Sequence, residues 1–563
     1  MRFLTASDHA LLVELKDLAT TMALYRVVAA QKIVGVRELV PAARTLLVHY
    51  APSSIRRERL VEVLRACALE AAAVQAREAL PLGRLVEVPV RYVGEDLPDV
   101  AEWLGISVAQ VIERHTAQPY EAAFAGFAPG FVYLSGGAHF QIPRRQSPRT
   151  RVPAGSVALG GNFSAVYPSA SPGGWQLIGE TQVPMWDLQR PEPAYVQPGF
   201  RVQFVDVARK TVQVHLPTSV SAPLSAPSHI QSKQPKALIA PGHAAIELLE
   251  VGLQTLVQDR GRHGMAGLGI SSSGALDMQA MYQANRQVGN PRGTSVLENV
   301  LGQMRLRSHG ASTVAVAGAA VRLTLHSVHG ETFDVSSQQP IALNDGDVLQ
   351  LHAPQAGVRS YLAVRGGWEV EPVLGSCASD TLAQIGPPAL QRGQRLQVGG
   401  AVPTTQLRAV ELPSAPPCPL PSAGDTVELD VVLGPRTDWF TPDALTHFTA
   451  QTWEVTPQSN RIGLRLHGAQ PLERACHDEL PSEGTVNGAI QVPINGQPVL
   501  FLADHPLTGG YPVIAAVASH HLGLAAQIPV GCRIRFRVMA ADFEWLADRQ
   551  NPPALHADAK GQP

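Results

Sequence analysis

Four times the chain writes a glycine turn followed by a short alternating strand: "VQPGFRVQF" at 196–204, "ALNDGDVLQL" at 342–351, "ALQRGQRLQV" at 389–398 and "IPVGCRIRF" at 528–536. Glycine supplies the tight turn, and the period-2 alternation gives each strand one apolar face, so each copy reads as a hairpin that closes a sheet. Reuse of one closing hairpin predicts repeated β-barrel units in place of one large core. Length agrees, since 563 residues exceed what a single hydrophobic core organises.

The remaining punctuation divides the chain. Residues 1–83 alternate helix and strand signals, with "RTLLVHY" a strand and "PSSIRRERLVEVLRACALEAAAV" a helix opened by a serine, and predict a small α+β domain. A barrel is expected over 84–210, interrupted by one helix, "SVAQVIERHTA", capped by Ser107. Residues 211–242 have the Ser, Pro and Ala content of a linker. A second barrel is expected over 243–411, a weaker break over 412–424, a third barrel over 425–540 and a tail over 541–563. The fold class is therefore mainly β with a small α+β N-terminal domain and tandem barrels.

Charge and residue usage exclude several functions. A formal net charge of -2 provides no basic field for nucleic acid. No apolar run reaches the length of a membrane span, and the opening residues do not resemble a signal peptide, so a cytoplasmic location is expected. Five cysteines without a CxxC pair suggest neither zinc nor disulfides. Lysine is absent from 33–209 and from 237–559, which removes phosphate-loop, Schiff-base and biotinyl-lysine chemistry from the main domains.

Against that background two stretches stand out. "SPGGWQLIGET" at 171–181 and "DHPLTGGYPVIAAV" at 504–517 both place two glycines before an aromatic residue and a short apolar run. Glycines let backbone approach a ligand closely and the ring supplies a flat wall, so Gly173, Gly174, Trp175, Thr508, Gly509, Gly510 and Tyr511 are candidate substrate contacts. Asn495-Gly496 is a strong two-residue hairpin signal and predicts that Gln491 faces Leu500, Ile490 faces Phe501 and Asn487 faces Asp504. That register puts Asn487, Gln491 and Asp504 on one face, where two amides and a carboxylate suit an amide substrate. Asp504 and the adjacent His505 are candidate catalytic groups, together with His115. Ser273 stands at the mouth of a helix within 270–290, where hydroxyls and free N–H groups favour an anion unless the helix is merely structural, and Asp277 is a further candidate substrate contact there. The glycine-rich "QDRGRHGMAGLG" at 258–269 has the wrong spacing for a dinucleotide fingerprint, and "CHDE" at 476–479 reads as a solvated loop.

Longer motifs carry a resemblance. "LVPAARTLLVHYAP", "FAGFAPGFVYL", "VPAGSVALGG" and "YPSASPGGWQLIGET" resemble the allophanate hydrolase subunit 1 family, also called Kip inhibitor-like and the 5-oxoprolinase B subunit. "LQTLVQDRGRHG", "SSGALD", "ANRQVGN", "SEGTVNGAIQVP" and "DHPLTGGYPVIAAV" resemble the subunit 2 family, also called Kip antagonist-like and the 5-oxoprolinase C subunit. The resemblance covers nearly all of 5–205 and 245–537. It implies cyclophilin-like barrels and an ATP-dependent 5-oxoprolinase that opens pyroglutamate to glutamate with a separate LamB/YcsF-type A subunit. No covalently bound cofactor is implied for this chain, ATP being used by the complete complex, and a homo-oligomer is compatible with it. The same modules form the carboxyltransferase part of urea carboxylase, and a third implied role is Kip-type regulation of a sensor histidine kinase. The chain departs from the family pattern at "GSCASDT", 375–381, where an arginine is usual in place of Cys377, and at "DHPLTGG" and "GGNFSAVYP".

Overall fold

A computed structural model describes residues 1–75, 83–136, 140–145, 147, 149–209, 244–413 and 419–539. The expected linker at 211–242 and tail at 541–563 lie outside the described residues, as does Cys418.

The N-terminal domain is a four-stranded antiparallel sheet in the order Arg2–Ser7, Ala10–Glu14, Thr45–Tyr50, Val36–Pro41. Helices Leu18–Gln31 and Arg57–Gln75 pack on one face, where Leu24, Val28, Leu60 and Leu64 meet Leu11, Val13, Leu46 and Val48. Strand alternation turns Leu12, Val40 and Leu47 to the opposite face, which needs a second cover. The cover comes from the far end of the chain: these residues cluster with Val499, Phe501, Val513 and Ala516. The second helix starts at Arg57, after the serines, which sit in the preceding turn.

The first barrel runs Gln176–Glu180, Ser156–Gly160, Phe163–Val166, Val132–Gly136, Tyr120–Ala125, Arg201–Asp206, Leu85–Val90. An antiparallel bridge between Arg91 and Glu180 joins its two edges. The C-terminal barrel is closed and runs Val513–Val517, Ala489–Gln491, Val499–Phe501, Gly463–His467, Trp453–Val455, Arg533–Val538, Thr426–Leu433. Read strand by strand, the two orders are the same, and in each the first strand pairs in parallel with the last. Two of the glycine hairpins seen in the sequence supply those last strands, Arg201–Asp206 and Arg533–Val538. Between the barrels lies a nine-stranded sheet over Ala244–Val398, in which the long strands Ser312–His326 and Val348–Val364 pair along most of their length.

The helix expected at 107–117 runs Val108–Ala117 and carries a full capping box between Ser107 and Gln110. The expected register of the 487–504 hairpin is wrong by one residue: Ile490 faces Leu500 and Gln491 faces Val499. The cause is the turn. Gly496 N–H donates to Pro493 O at 3.1 Å, and only Gly496, at φ +69, is left-handed. A turn over Pro493–Gly496 ending in one left-handed residue adds a residue to the loop that Asn-Gly in a two-residue turn would not. The slip exchanges faces, so Ile490, Val492, Leu500 and Leu502 fill the barrel core while Val499 and Phe501 point out to the N-terminal domain.

A Cβ at position 496 would lie 2.8 Å from Pro471 Cβ and 2.9 Å from Leu472 N and O. Gly496→Ala is therefore expected to destabilise the C-terminal barrel by about 1–3 kcal/mol, read as a lower denaturant midpoint.

Candidate functional site

Each barrel carries a small two-stranded ribbon, Arg149–Val152 with Ser171–Gly173 in the first and Glu483–Gly484 with Thr508–Gly509 in the second. The Gly-Gly-aromatic segments lie at corresponding places, each running from its ribbon into the strand Gln176–Glu180 or Val513–Val517. They also converge. Gly173, Gly174 and Trp175 from one half and Thr508, Gly509, Gly510 and Tyr511 from the other line a single cavity of about 850 Å³ between the halves.

In both copies a glycine makes room for a neighbouring side chain, the first glycine of the pair in one and the second in the other. A Cβ on Gly173 would lie 2.3 Å from the Tyr167 hydroxyl, and one on Gly510 would lie 2.5 Å from Arg144 Nη1. Each therefore makes room for a polar side chain at the cavity wall, where any larger residue would displace it.

The halves are joined at the cavity by hydrogen bonds. Thr508 Oγ1 accepts from Phe127 N at 3.1 Å, and Ser482 Oγ donates to the Tyr133 hydroxyl at 3.2 Å. Phe127 sits at φ +64, a left-handed conformation that is strained for a bulky residue and is held here by that contact with Thr508. Phe131 and Tyr133 complete an aromatic wall, with Trp175 packed edge-on to both at 5.5 Å.

Gln491 also lines the cavity and donates from Nε2 to Tyr511 O at 3.0 Å, which fixes its amide beside the second loop. The other expected residues lie elsewhere. Asn487 is absent from the cavity wall, since the register slip removes its pairing with Asp504. His115 is fully buried in the first barrel, stacked 4.3 Å from Phe204 and bonded to Tyr92 OH at 2.6 Å and Ser164 Oγ at 2.9 Å. Burial pushes its pKa down to about 3, so it is a neutral core histidine. His505 is buried between Thr485 Oγ1, 3.2 Å from Nδ1, and Pro506 O at 2.9 Å, and burial likewise lowers its pKa.

Asp504 is fully buried with both oxygens engaged. Oδ1 accepts from Ser273 Oγ at 2.6 Å and Arg461 Nη2 at 3.1 Å; Oδ2 accepts from Thr381 N at 2.9 Å, Thr381 Oγ1 at 2.7 Å and Arg461 Nε at 3.0 Å. Burial opposes the charge, but Arg461 outweighs it and holds Asp504 below the usual carboxylate range. Arg461 also pairs with Glu298 of the middle sheet. Ser273 is thus tied to Asp504. The helix beyond it begins only at Met278, with Asp277 accepting from Ala280 N at 3.0 Å as its own cap, so the expected anion site at its mouth is filled by the chain. The glycine-rich 258–269 loop docks on the first half, with Gly130 N donating to Leu268 O at 3.1 Å, and on Glu38, whose Oε1 accepts from Ala266 N at 3.1 Å.

What sequence reasoning missed is the charged part of the wall: Arg144, Arg145, Arg474, His477, Asp478 and Glu479. The "CHDE" loop, read as merely solvated, is exposed at the cavity rim. Its nearness to Arg144, with Nε 2.7 Å from Glu479 Oε1, joins sequence positions 335 residues apart and leaves no local pattern.

Comparison with known proteins follows the same division into halves. Residues 1–196 match the family model described as carboxyltransferase domain, subdomain C and D, and residues 268–538 match subdomain A and B. The chain is 36% identical over 306 residues to the C subunit of 5-oxoprolinase from Escherichia coli K12, covering 54% of this chain and 94% of that protein. The chain belongs to the family of 5-oxoprolinase B and C subunits. Its first half is 48% identical over 133 residues to the B subunit of 5-oxoprolinase from Escherichia coli O157:H7, covering 23% of this chain and 61% of that protein. It is thus a fused form of the two subunits of this family. The solved structure of the protein TTHA0988 is 32% identical and superposes with a TM-score of 0.76, covering 94% of this chain and 99% of that one. Urea amidolyase of Lachancea kluyveri is 30% identical over 318 residues, 52% of this chain and 17% of that protein, so a segment similar to about half of this chain recurs there within a longer polypeptide.

Two outcomes are expected around Asp504. Asp504→Asn removes the charge that balances Arg461 and is expected to cost about 3 kcal/mol of stability, seen in the unfolding midpoint. A variant of full stability with lost turnover would instead assign Asp504 a chemical role. The second concerns Asp380, buried nearby with Oδ2 lacking a hydrogen-bond partner. Burial and the charge of Asp504 push it up to about 7 from 3.8. The folded protein then keeps a proton that the unfolded chain releases, so this group's contribution to stability is fully present below about pH 4 and is lost as pH rises through 7. Asp504 stays ionised across that window. The midpoint of Asp380→Asn relative to wild type should accordingly rise from pH 4 to pH 7 and level off above it.

Proposed function

We propose that this fused protein is a component of an ATP-dependent 5-oxoprolinase, which hydrolyses 5-oxo-L-proline to L-glutamate with a LamB/YcsF-type A subunit. The observation that carries the reading is the convergence of two Gly-Gly-aromatic loops, one from each half, on one cavity. The B-like and C-like halves each contribute one loop, so the site exists only where both are present. A cavity with aromatic walls suits a small planar lactam, and Gln491, Thr508, Gly509 and Gly510, which line it, supply polar groups for an amide. The long lysine-free stretches give this chain no phosphate loop of its own, so ATP chemistry is assigned to the assembled complex.

The experiment is reconstitution. The purified chain alone is expected to release little or no glutamate from 5-oxo-L-proline and ATP, and to gain ATP-coupled turnover when a LamB/YcsF-type partner is added. Full turnover by the isolated chain, or none in the reconstituted mixture, overturns the reading. A second reading, a biotin-dependent carboxyltransferase acting on a urea-like amide, is favoured by the match of both halves to carboxyltransferase subdomains. It requires activity that depends on a biotinylated carrier and is abolished by avidin.

A further inference from the structure

The charges of the cavity are unevenly matched. Three arginines line it. Arg145 Nη1 donates to Asp96 Oδ1 at 2.9 Å, and Arg144 Nε lies 2.7 Å from Glu479 Oε1. Among the described residues no carboxylate comes within ion-pair distance of Arg474.

Arg474 is nevertheless held in place. Its guanidinium lies 5.7 Å from the centre of the Tyr511 ring, Nη2 donates to Val492 O at 2.7 Å, and its backbone forms a β-bridge with Phe440. Nε is buried without a hydrogen-bond partner. Burial lowers the Arg474 pKa, opposed by Tyr511 and Cys476 and by no carboxylate. A guanidinium stays charged under these conditions, so the cavity wall carries a fixed, partly desolvated positive charge that the protein itself does not neutralise. His477, Asp478 and Glu473 share the rim but are exposed, where water screens them.

An arginine prefers a carboxylate as partner, because its planar fork matches the two oxygens. On the ring-opening reading above, the substrate brings both an amide and a carboxylate, whereas urea brings only an amide. We propose that Arg474 is the specificity-determining residue that holds the carboxylate of the ligand, beside the Tyr511 face, and so selects an anionic lactam over a neutral amide. Gln491 and the Gly509–Gly510 backbone then face the lactam amide on the same wall.

The test is a matched ligand pair, 5-oxo-L-proline and 5-oxo-L-prolinamide, titrated calorimetrically into the full chain assembled with its LamB/YcsF-type partner. Wild type is expected to bind the carboxylate about ten- to a hundredfold more tightly than the amide. Arg474→Gln should lose that preference by weakening the carboxylate alone, read also as a raised KM for 5-oxo-L-proline. Arg474→Lys should keep part of it, as a point charge without the fork. Equal binding of the pair by wild type, or an undiminished preference in Arg474→Gln, overturns the inference and leaves the ring-opening reading intact. Binding of neither compound by wild type overturns that reading, and the inference with it. Should Arg474→Gln fail to assemble, the wild-type comparison of the two ligands and the Arg474→Lys variant decide.

Discussion

One buried carboxylate, Asp504, holds the arrangement on which the cavity depends. It draws hydrogen bonds from Ser273 and Thr381 of the middle domain and from Arg461 of the C-terminal barrel, and Arg461 in turn reaches Glu298. Each of these groups is costly to bury alone; together they satisfy one another. Asp504 also begins the segment that four residues later delivers Thr508 to the backbone of Phe127. An ion network between two domains of the second half thus fixes the loop that meets the first half.

The two outer barrels share one strand order, yet neither encloses the cavity. Their interiors are packed with side chains, Trp453, Phe448 and Phe536 in one and Tyr120, Phe204 and Phe140 in the other. The site forms where corresponding loops of the two barrels are brought face to face. The N-terminal domain braces this pairing by seating its open sheet face on the C-terminal barrel, with Arg436, paired with Glu483 of its own barrel, reaching Glu14 across the contact. Such a fold explains why two proteins in other organisms can appear here as one chain: the contact between them is built from buried apolar faces and gains from a permanent tether.

The sequence made the repeated barrels legible because closing hairpins and period-2 alternation are local signals, and it singled out both cavity-lining loops because Gly-Gly-aromatic is compact. Its failures have one cause. The register at 487–504 turns on whether Asn495 joins Gly496 in a left-handed conformation, which depends on Leu472 and Pro471 packed against the turn. Asp504 and His505 read as reactive because polar residues next to a glycine loop suit a site, but whether a side chain points into a cavity or into an interface is set by chain segments hundreds of residues away. The arginines of the cavity are invisible for the same reason, since 144 and 474 acquire meaning only through Trp175 and Tyr511.

The departures from the family pattern gain a physical sense from this geometry. The "GSCASDT" and "DHPLTGG" segments touch, through Thr381 and Asp504, so changes in one are felt by the other. Cys377 stands outside the cavity wall, its N–H bonded to Asp259 Oδ2 at 2.7 Å and its thiol to Val370 O at 3.4 Å. Arg262 already lies beside it, donating to Ala378 O at 2.5 Å, so a second arginine at 377 would crowd a guanidinium whose Nη1 has no hydrogen-bond partner as it stands. Cys377 itself takes no part in the hydrogen bonds to Asp504, and the cations that line the cavity, Arg144, Arg145 and Arg474, come from other segments altogether.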